Sequence, residues 1–393
     1  MKIMSLDIEG FRSLKKVHWA PNQLNVVIGP NGAGKSNLLR FLELMRISAQ
    51  AALGKYIQSL GGMEPLVWDG QASSIVGKLK MSPLDDEKPP DSLSYELALA
   101  RLGYSSAYRI GQERLINDSL IATDERPIPL FLERNPVKSA VFAEQENALK
   151  TLEEPISEEE SLLSLAASPF TANRLMARFQ RQLASWMVYH DVSVDRNARL
   201  RQPVVTRTER LVDTDGQNLI SVLHTLYTED RQFRYDINAA MRAAFGNEFE
   251  ELMFPPAADQ RTQLRVLWKS LQRGQSAAEL SDGTLRFLFL LTVLAAPAPL
   301  TAIDEPELGL HPAMLPIVAE YAVAAADTAQ IILTTHSPQF LDAFTDTQPT
   351  ITVALSEQGE TRLKNLNGEA LAYWLEKYSL GTLFTSGELE DLV

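Results

Sequence analysis

An α/β fold, split in sequence around an insertion, follows from three stretches of the chain. Leu24-Asn-Val-Val-Ile28 reads as a short buried strand that runs into the glycine-rich 29–36, and NLLRFLELM behind it reads as a buried helix. Leu300-Thr-Ala-Ile-Asp-Glu305 is a second apolar strand, ending in two carboxylates. Between them, 74–134 carries several strand-like runs separated by Pro, Gly and Asp clusters, the pattern of an antiparallel β subdomain. The expected division is 1–134 for the N-terminal half of the core with its β subdomain, 135–275 for a mostly helical insertion, and 276–393 for the C-terminal half.

Taken in order, Met4, Leu6 and Ile8 alternate with polar neighbours and predict a strand with those three on one face. SIVGKLKM, LSYELALARL and PLFLER predict strands between Ser74 and Arg134. The acidic EQENALKTLEEPISEEESLLSL favours helix, as does NRLMARFQRQLASWMVY after it, and neither sustains the heptads of a long coiled coil. Two more helices fit 216–246, and QLRVLWK fits a strand with Leu264, Val266 and Trp268 on one face. SDGTLRFLFLLTVLAA predicts a helix, PLTAI a strand, the stretch from 312 a helix, QIILTT a strand, and TITVALS with TRLKNL a hairpin. The longest uncharged run, between Arg286 and Asp304, is broken by Pro297 and Pro299 and reads as helix plus strand, not a membrane span.

Composition narrows the function classes. The 393 residues are 45% hydrophobic, which supplies real cores and excludes a disordered chain. With no cysteine there is no disulfide, thiolate nucleophile or Cys-ligated zinc, which fits a reducing, cytoplasmic setting. The opening MKIMSLDIEGF is charged by Asp7 and is not a secretory signal. The net charge of −13 argues against a generally basic, nucleic-acid-coating surface.

Gly29-Pro30-Asn31-Gly32-Ala33-Gly34-Lys35-Ser36 satisfies G-x-x-x-x-G-K-S/T in full, between a strand and a helix. The glycines let backbone N–H groups curl around phosphate oxygens, and the helix points its positive end at the same anion. Lys35 can reach the β- and γ-phosphates of a nucleotide such as ATP, and Ser36 can offer a hydroxyl to Mg2+. Asp304, at the end of its strand, can hold Mg2+ or its water shell, and Glu305 can polarise an attacking water as general base. His336, in Ile331-Ile-Leu-Thr-Thr-His-Ser337, stands at the C-terminal end of another buried strand, where ligands of open parallel sheets lie. Its expected role is hydrogen bonding to the γ-phosphate and the attacking water. Ser281, in Glu279-Leu-Ser-Asp-Gly-Thr-Leu-Arg286, reads as a helix N-cap, with its hydroxyl, Gly283 and nearby N–H groups forming a second anion cradle.

Four motifs in this order, GPNGAGKSN, ELSDGTLR, LTAIDEPELGLHP and TTHSP, resemble the ABC-type ATPase class: Walker A, signature, Walker B with D-loop, and H-loop. The chain more closely resembles the RecF/SMC-like and OLD-like predicted ATPases of the AAA_21 group, in which LSDGTLR replaces the usual LSGGQ. The IEGFRSL opening and Asp215-Gly-Gln-Asn-Leu219 extend the resemblance. Lys35 and Ser281 are 281 − 35 = 246 positions apart, an insert of the SMC/RecF kind and unlike a transporter subunit, and Asn37 after Lys-Ser is a further SMC/RecF feature. The resemblance implies a P-loop NTPase head that hydrolyses Mg-ATP as a head-to-tail homodimer or a larger assembly, with Ser281, Asp282 and Gly283 of one copy closing over nucleotide held at 29–37 of the other. It also implies that Arg12 approaches the nucleotide, although a solvated arginine at a strand end fits the residues equally. Gln58 and Gln71 both stand as candidates for the Q-loop glutamine.

Between Arg174 and Arg210, eight arginines face three acids, a local +5. Arg174, Arg178 and Arg181 share one helical face and can contact the phosphates of DNA; a solvated face, or pairing with the acidic 144–160, are the alternatives. OLD-like nucleases carry a metal domain after the ATPase, but only 393 − 336 = 57 residues follow His336, and Glu369, Glu376, Glu388, Glu390 and Asp391 form no strand-borne pair. Any effector is therefore expected to be a separately encoded protein, with Leu380-Gly-Thr-Leu-Phe384 as a docking candidate. The implied roles are DNA repair or anti-phage defence, or a regulator of a partner toxin or nuclease; a membrane transporter ATPase is a distant third.

Overall fold

The computed structural model describes residues 1–82, 92–103, 106–118, 130–144, 148–152, 156–167, 173–345, 347–366 and 378–388. It divides into two compact units: Met1–Trp186 with Thr350–Asn367 and Val393, and Met187–Pro349 with Gly368–Leu392.

In the first unit, alternation of apolar and polar residues builds a large antiparallel sheet from β1 (Lys2–Phe11), β2 (Leu14–Trp19), β4 (Ser74–Ser82), β5 (Leu93–Arg101), β6 (Tyr108–Asn117), β7 (Leu130–Arg134), β8 (Ser139–Ala143) and β9 (Ala148–Thr151), in the order β2-β1-β4-β5-β6-β7-β8-β9. In β5 the period of two places Leu93, Tyr95, Leu97 and Leu99 in the core. Beside this sheet, β3 (Leu24–Ile28) pairs in parallel with β19 (Thr350–Glu357), which folds back antiparallel onto β20 (Glu360–Asn365). Gln358 and Gly359 make that turn with φ of 51° and 82°, the two left-handed residues a tight hairpin needs. Helix α1 (Lys35–Ser48) packs Phe41 against Phe11, ring centroids 5.3 Å apart, and crosses β4 at Gly77, where a Cβ would stand 2.7 Å from Phe41. Helix α2 (Leu53–Ser59) follows α1, and α3 (Arg174–Ala184) is capped by Asn173, whose side chain accepts from the Met176 amide.

Three expectations are corrected here. Met4 does not share a face with Leu6 and Ile8: a bulge between Ile3 and Ser5 turns Met4 outward, 44% exposed, and buries Ile3 instead. Residues 148–151 of the acidic, helix-favouring stretch form β9, because edge pairing with β8 outweighs a weak intrinsic helix preference. The helix expected through Tyr189 stops at Ala184, and Met187–Tyr189 leave as a strand. The antiparallel sheet thus continues past residue 134, and short strands accompany the helices of 135–275.

The second unit is built on three parallel strands, β10 (Met187–Tyr189), β17 (Leu300–Asp304) and β18 (Gln330–Thr334), in the order β10-β17-β18. Helices α4 (Leu219–Glu229) and α5 (Arg231–Phe245) occupy the region read as two helices. Short strands make two small sheets: β11 (Val204–Val205), β13 (Pro256–Ala257) and β14 (Arg261–Thr262) in one, β12 (Phe249–Met253), β15 (Arg265–Trp268) and β16 (Gln275–Ser276) in the other. Helix α6 (Asp282–Ala295) is buried almost all round, and α7 (Leu315–Ala325) precedes β18. The uncharged run 287–303 thus forms α6 and β17, and among the described residues no helix is long and apolar enough to cross a membrane. The segment 380–384, expected to dock an effector, lies in a final helix, Leu380–Ser386, packed in its own unit. There the Gly381 amide donates to Asp342 at 2.7 Å, and a Cβ on Gly381 would stand 2.4 Å from the carbonyl oxygen of Pro338 in α8 (Pro338–Leu341). Of the acids near the end, Glu369, Glu376, Glu390 and Asp391 lie outside the described residues.

Candidate functional site

The phosphate-binding loop belongs to the first unit. Gly29, Gly32 and Gly34 all take positive φ, 144°, 82° and 96°, which only glycine adopts without strain. Space forbids side chains at two of them: a Cβ would stand 2.2 Å from the Ala354 carbonyl oxygen at Gly29, and 2.0 Å from Thr361 Oγ1 at Gly34. At Gly32 no atom of the described residues lies within 4 Å of that position. Lys35 begins α1, is 5% exposed, and donates from Nζ to Gly29 O at 2.7 Å and Pro30 O at 3.2 Å, which holds the ammonium back over the loop.

A hydroxyl chain fixes this loop from outside. Asn37 Nδ2 donates to Ser13 Oγ at 2.7 Å, Ser13 Oγ meets Thr361 Oγ1 at 2.7 Å, and Thr361 Oγ1 donates to Ala33 O at 2.9 Å. Asn37 thus ties the start of α1 to the β1–β2 turn. Arg12, in that turn at φ 46°, donates its amide to Leu66 O at 2.8 Å. Burial, then the neighbouring Arg40, holds its guanidinium below the usual arginine range, and its buried Nε has no hydrogen-bond partner among the described residues. A cation so placed would gain from a nearby anion. Gln58 is exposed on α2, and Gln71 is exposed at the end of the turn Trp68–Gly70.

In the second unit, the parallel register of β17 and β18 sets Asp304 opposite Thr334 and brings the two strand ends level. The Thr334 hydroxyl donates to the Asp304 carboxylate, and His190 Nδ1, just past β10, lies 3.7 Å from Asp304 Oδ2. Glu305 sits at φ 47°, a strained position for a side-chain-bearing residue, held by its amide's contacts to Thr334 O at 3.1 Å and Thr334 Oγ1 at 3.2 Å. Its Oε1 is 3.0 Å from His336 Nδ1. Glu307 clasps the same segment: Oε1 accepts from Thr335 Oγ1 at 2.5 Å and from the His336 amide at 3.3 Å. Burial pushes its carboxyl above the usual glutamate range.

Ser281 caps α6, accepting from the Thr284 amide at 3.1 Å, with Thr284 Oγ1 2.8 Å from its hydroxyl. A Cβ on Gly283 would stand 2.8 Å from Gly309 O, so the start of α6 and the turn after Glu305 pack as one block. The Asp282 carboxylate meets Arg201.

Of the expected residues, 12 and 29–37 belong to the first unit and 281–283, 304, 305 and 336 to the second, where Glu305 meets His336 and Gly283 packs on the turn after Glu305. Arg174, Arg178 and Arg181 stand together on the exposed face of α3, with Met176, Phe179 and Leu183 buried opposite. Motif reading missed Ser13, Thr361, His190, Thr334 and Glu307, which act by supporting others, and counted Arg201 only within the basic 174–210 stretch, whereas it is buried against Asp282. Only Glu307 had a signal, its place in the DEPE run.

Residues 24–342 match the family described as "AAA domain, putative AbiEii toxin, Type IV TA system", AAA_21. Among solved structures the chain is similar to an SMC head bound to the C-winged helix domain of ScpA, with 14% identity over 95% of this chain and 100% of that one, and a TM-score of 0.54. It also matches the SMC head domain from Thermotoga maritima (11% identity, 93% and 100% covered, TM-score 0.47). A third match is an Smc head domain with an extended coiled coil bound to the C-terminal domain of ScpA derived from Pyrococcus furiosus (13%, 96% and 99%, TM-score 0.48). No curated protein matches. The first likeness is one of fold. The family match spans well over half of the chain and takes in the phosphate-binding loop, the α6 N-terminus and the strand ends at Asp304 and His336, so the chain belongs to the AAA_21 family, with the α/β fold of SMC-head-like P-loop ATPases.

Proposed function

We propose that the protein is a Mg2+-dependent ATP hydrolase that closes head to tail with a second copy and couples that cycle to DNA or to a separately encoded effector, in repair or anti-phage defence within the cytoplasm. The observation that carries this reading is the Glu305–His336 pair, 3.0 Å apart beside Asp304 at the ends of two parallel strands. In this reading Glu305 takes a proton from water, and His336 orients the carboxylate and hydrogen bonds the γ-phosphate. Lys35 and the loop amides at 29–36 bind phosphate, and Arg12, with its unfilled Nε, suits the same anion. Ser36 and Asp304 are the hard oxygen donors that Mg2+ prefers, and the ion, when bound, offsets charge on the phosphate oxygens. Ser281 and Gly283, at a helix N-terminus, suit a γ-phosphate presented by the partner copy. Phosphoryl transfer is catalysed by positioning and charge, so its groups can come from two subunits.

A second reading is favoured by the family's description, which names a toxin. In it the chain is an ATP-gated binding module that holds a partner toxin or nuclease in check, and DNA leaves its hydrolysis unchanged. The similar SMC head, bound to ScpA, supports a protein partner in either case.

The test is Glu305→Gln. An ATP-dependent dimer visible by light scattering, with hydrolysis reduced at least about a hundredfold, supports the reading; full hydrolysis, or no dimer with ATP, overturns it. Wild-type ATPase rates with and without double-stranded ends, together with co-purification from the native host, separate the two readings.

A further inference from the structure

Arg201 is a buried cation that no motif explains. It ends the 3-10 turn Arg199–Arg201 of the second unit, and its side chain is only 4% exposed. Arginine is rarely this buried, because losing water is costly unless every donor is filled. Here each guanidinium nitrogen has an acceptor. Nε donates to Val194 O at 2.8 Å and Asp195 O at 3.0 Å, and Nη1 to Leu280 O at 2.7 Å and Ala277 O at 3.1 Å. Nη2 donates to the carboxylate of Asp282. One side chain thus ties the 194–195 loop to the backbone that leads into α6 and to the residue between Ser281 and Gly283.

Asp282 poses an electrostatic problem. Its side chain is 67% exposed at the first position of α6, where a carboxylate suits the helix dipole but repels a triphosphate approaching the same helix end. We propose that Arg201 is a positioning residue of this segment: it cancels the Asp282 charge and fixes the 277–282 backbone, so that Ser281 and Gly283 meet the γ-phosphate of a second copy's ATP without repulsion. Close packing of Gly283 against Gly309 O also holds the helix start. The inference rests on the head-to-tail reading above and names a residue that reading lacks.

The experiment uses the full chain with Mg-ATP and compares wild type with Asp282→Asn, Arg201→Gln and the double variant, reading KM, kcat and the dissociation constant of the ATP-dependent dimer by sedimentation. Asp282→Asn keeps the acceptor and most of the shape while removing the carboxylate charge in direct contact with Arg201. KM and the dimer constant fall by about three- to tenfold, the scale of one charge acting over a few ångströms at high effective dielectric. Arg201→Gln raises both by a similar factor, and the double variant returns toward wild type. A purely structural role would lower the active fraction, and so apparent kcat, without this movement of KM and without rescue. If Arg201→Gln does not fold, Asp282→Asn decides alone: values at or above wild type overturn the proposal. A wild type that neither dimerises with ATP nor hydrolyses it sinks the functional reading and the inference together; a wild type that does both while Asp282→Asn changes nothing sinks the inference alone.

Discussion

Replacing Glu307 separates shape from charge at the strand ends. Its side chain is 8% exposed, and its Oε1 holds the Thr335 hydroxyl at 2.5 Å and the His336 amide at 3.3 Å. Glu307→Ala leaves the buried Thr335 hydroxyl with the Ser337 amide it accepts from at 2.9 Å but without an acceptor for its own proton, which costs about 1–3 kcal/mol. It also removes a buried methylene worth about 0.8 kcal/mol, for a total of about 2–4 kcal/mol. Glu307→Gln keeps an acceptor of the same reach, and the contrast between the two variants is sharpened by pH. Burial raises the folded-state value of this carboxyl above its ordinary 4.5. The protonated form is therefore the one the fold favours. Its contribution is complete below the unfolded value and declines as pH rises through the raised folded value. Glutamine does not ionise, so Glu307→Gln gains on wild type from just above pH 4.5 upward and exceeds it at pH 8, while Glu307→Ala is destabilised at both ends. Urea unfolding at pH 5 and pH 8 reads these differences, and ATPase assays should show Glu307→Ala losing about 10- to 100-fold in kcat as His336 loses its register with Glu305. An alanine variant as stable as wild type, or a glutamine variant as damaged as the alanine one, would refute the reasoning.

Two further outcomes are expected. Gly34→Ala forces a Cβ to within 2.0 Å of Thr361 Oγ1 and abolishes binding of a fluorescent ATP analogue, whereas Gly32→Ala, with nothing within 4 Å of its Cβ, costs only left-handed strain of about 1–2 kcal/mol; equal effects would contradict the packing around the loop. Alanine at Arg174, Arg178 and Arg181 together lowers the salt slope of double-stranded DNA binding by up to about 2.7, near 0.9 for each phosphate no longer neutralised, and an unchanged slope in filter binding removes this face from consideration.

How far the sequence could be read depends on whether the relevant physics is local. The residues at 29–36, 281–283, 304–305 and 336 are legible because phosphate and carboxylate chemistry demands particular residue types at fixed offsets along one strand–turn–helix passage. Strands such as β5, β17 and β18 show in their apolar patterns for the same reason. The missed parts depend on partners far along the chain. Thr361 matters through Ala33, 328 positions away, and Arg201 through Leu280 and Asp282, 79 and 81 away, so neither leaves a signature near itself. β9 and the outward turn of Met4 were misread because edge pairing and a bulge, both properties of the sheet, decide them.

The hydroxyl clasp on the phosphate-binding loop has a consequence for biosynthesis. Gly29 rests against Ala354 and Ala33 is held by Thr361, so a loop encoded near the start of the chain is completed by a hairpin encoded near residue 360. At about 5–20 residues per second, a ribosome needs roughly 16–65 s to translate the stretch between them. Throughout that interval the nascent chain carries the full nucleotide-binding motif without the neighbours that shape it. Ribosome-bound chains halted before the hairpin should therefore ignore ATP, and competence should arrive in a single late step once residue 361 has cleared the exit tunnel.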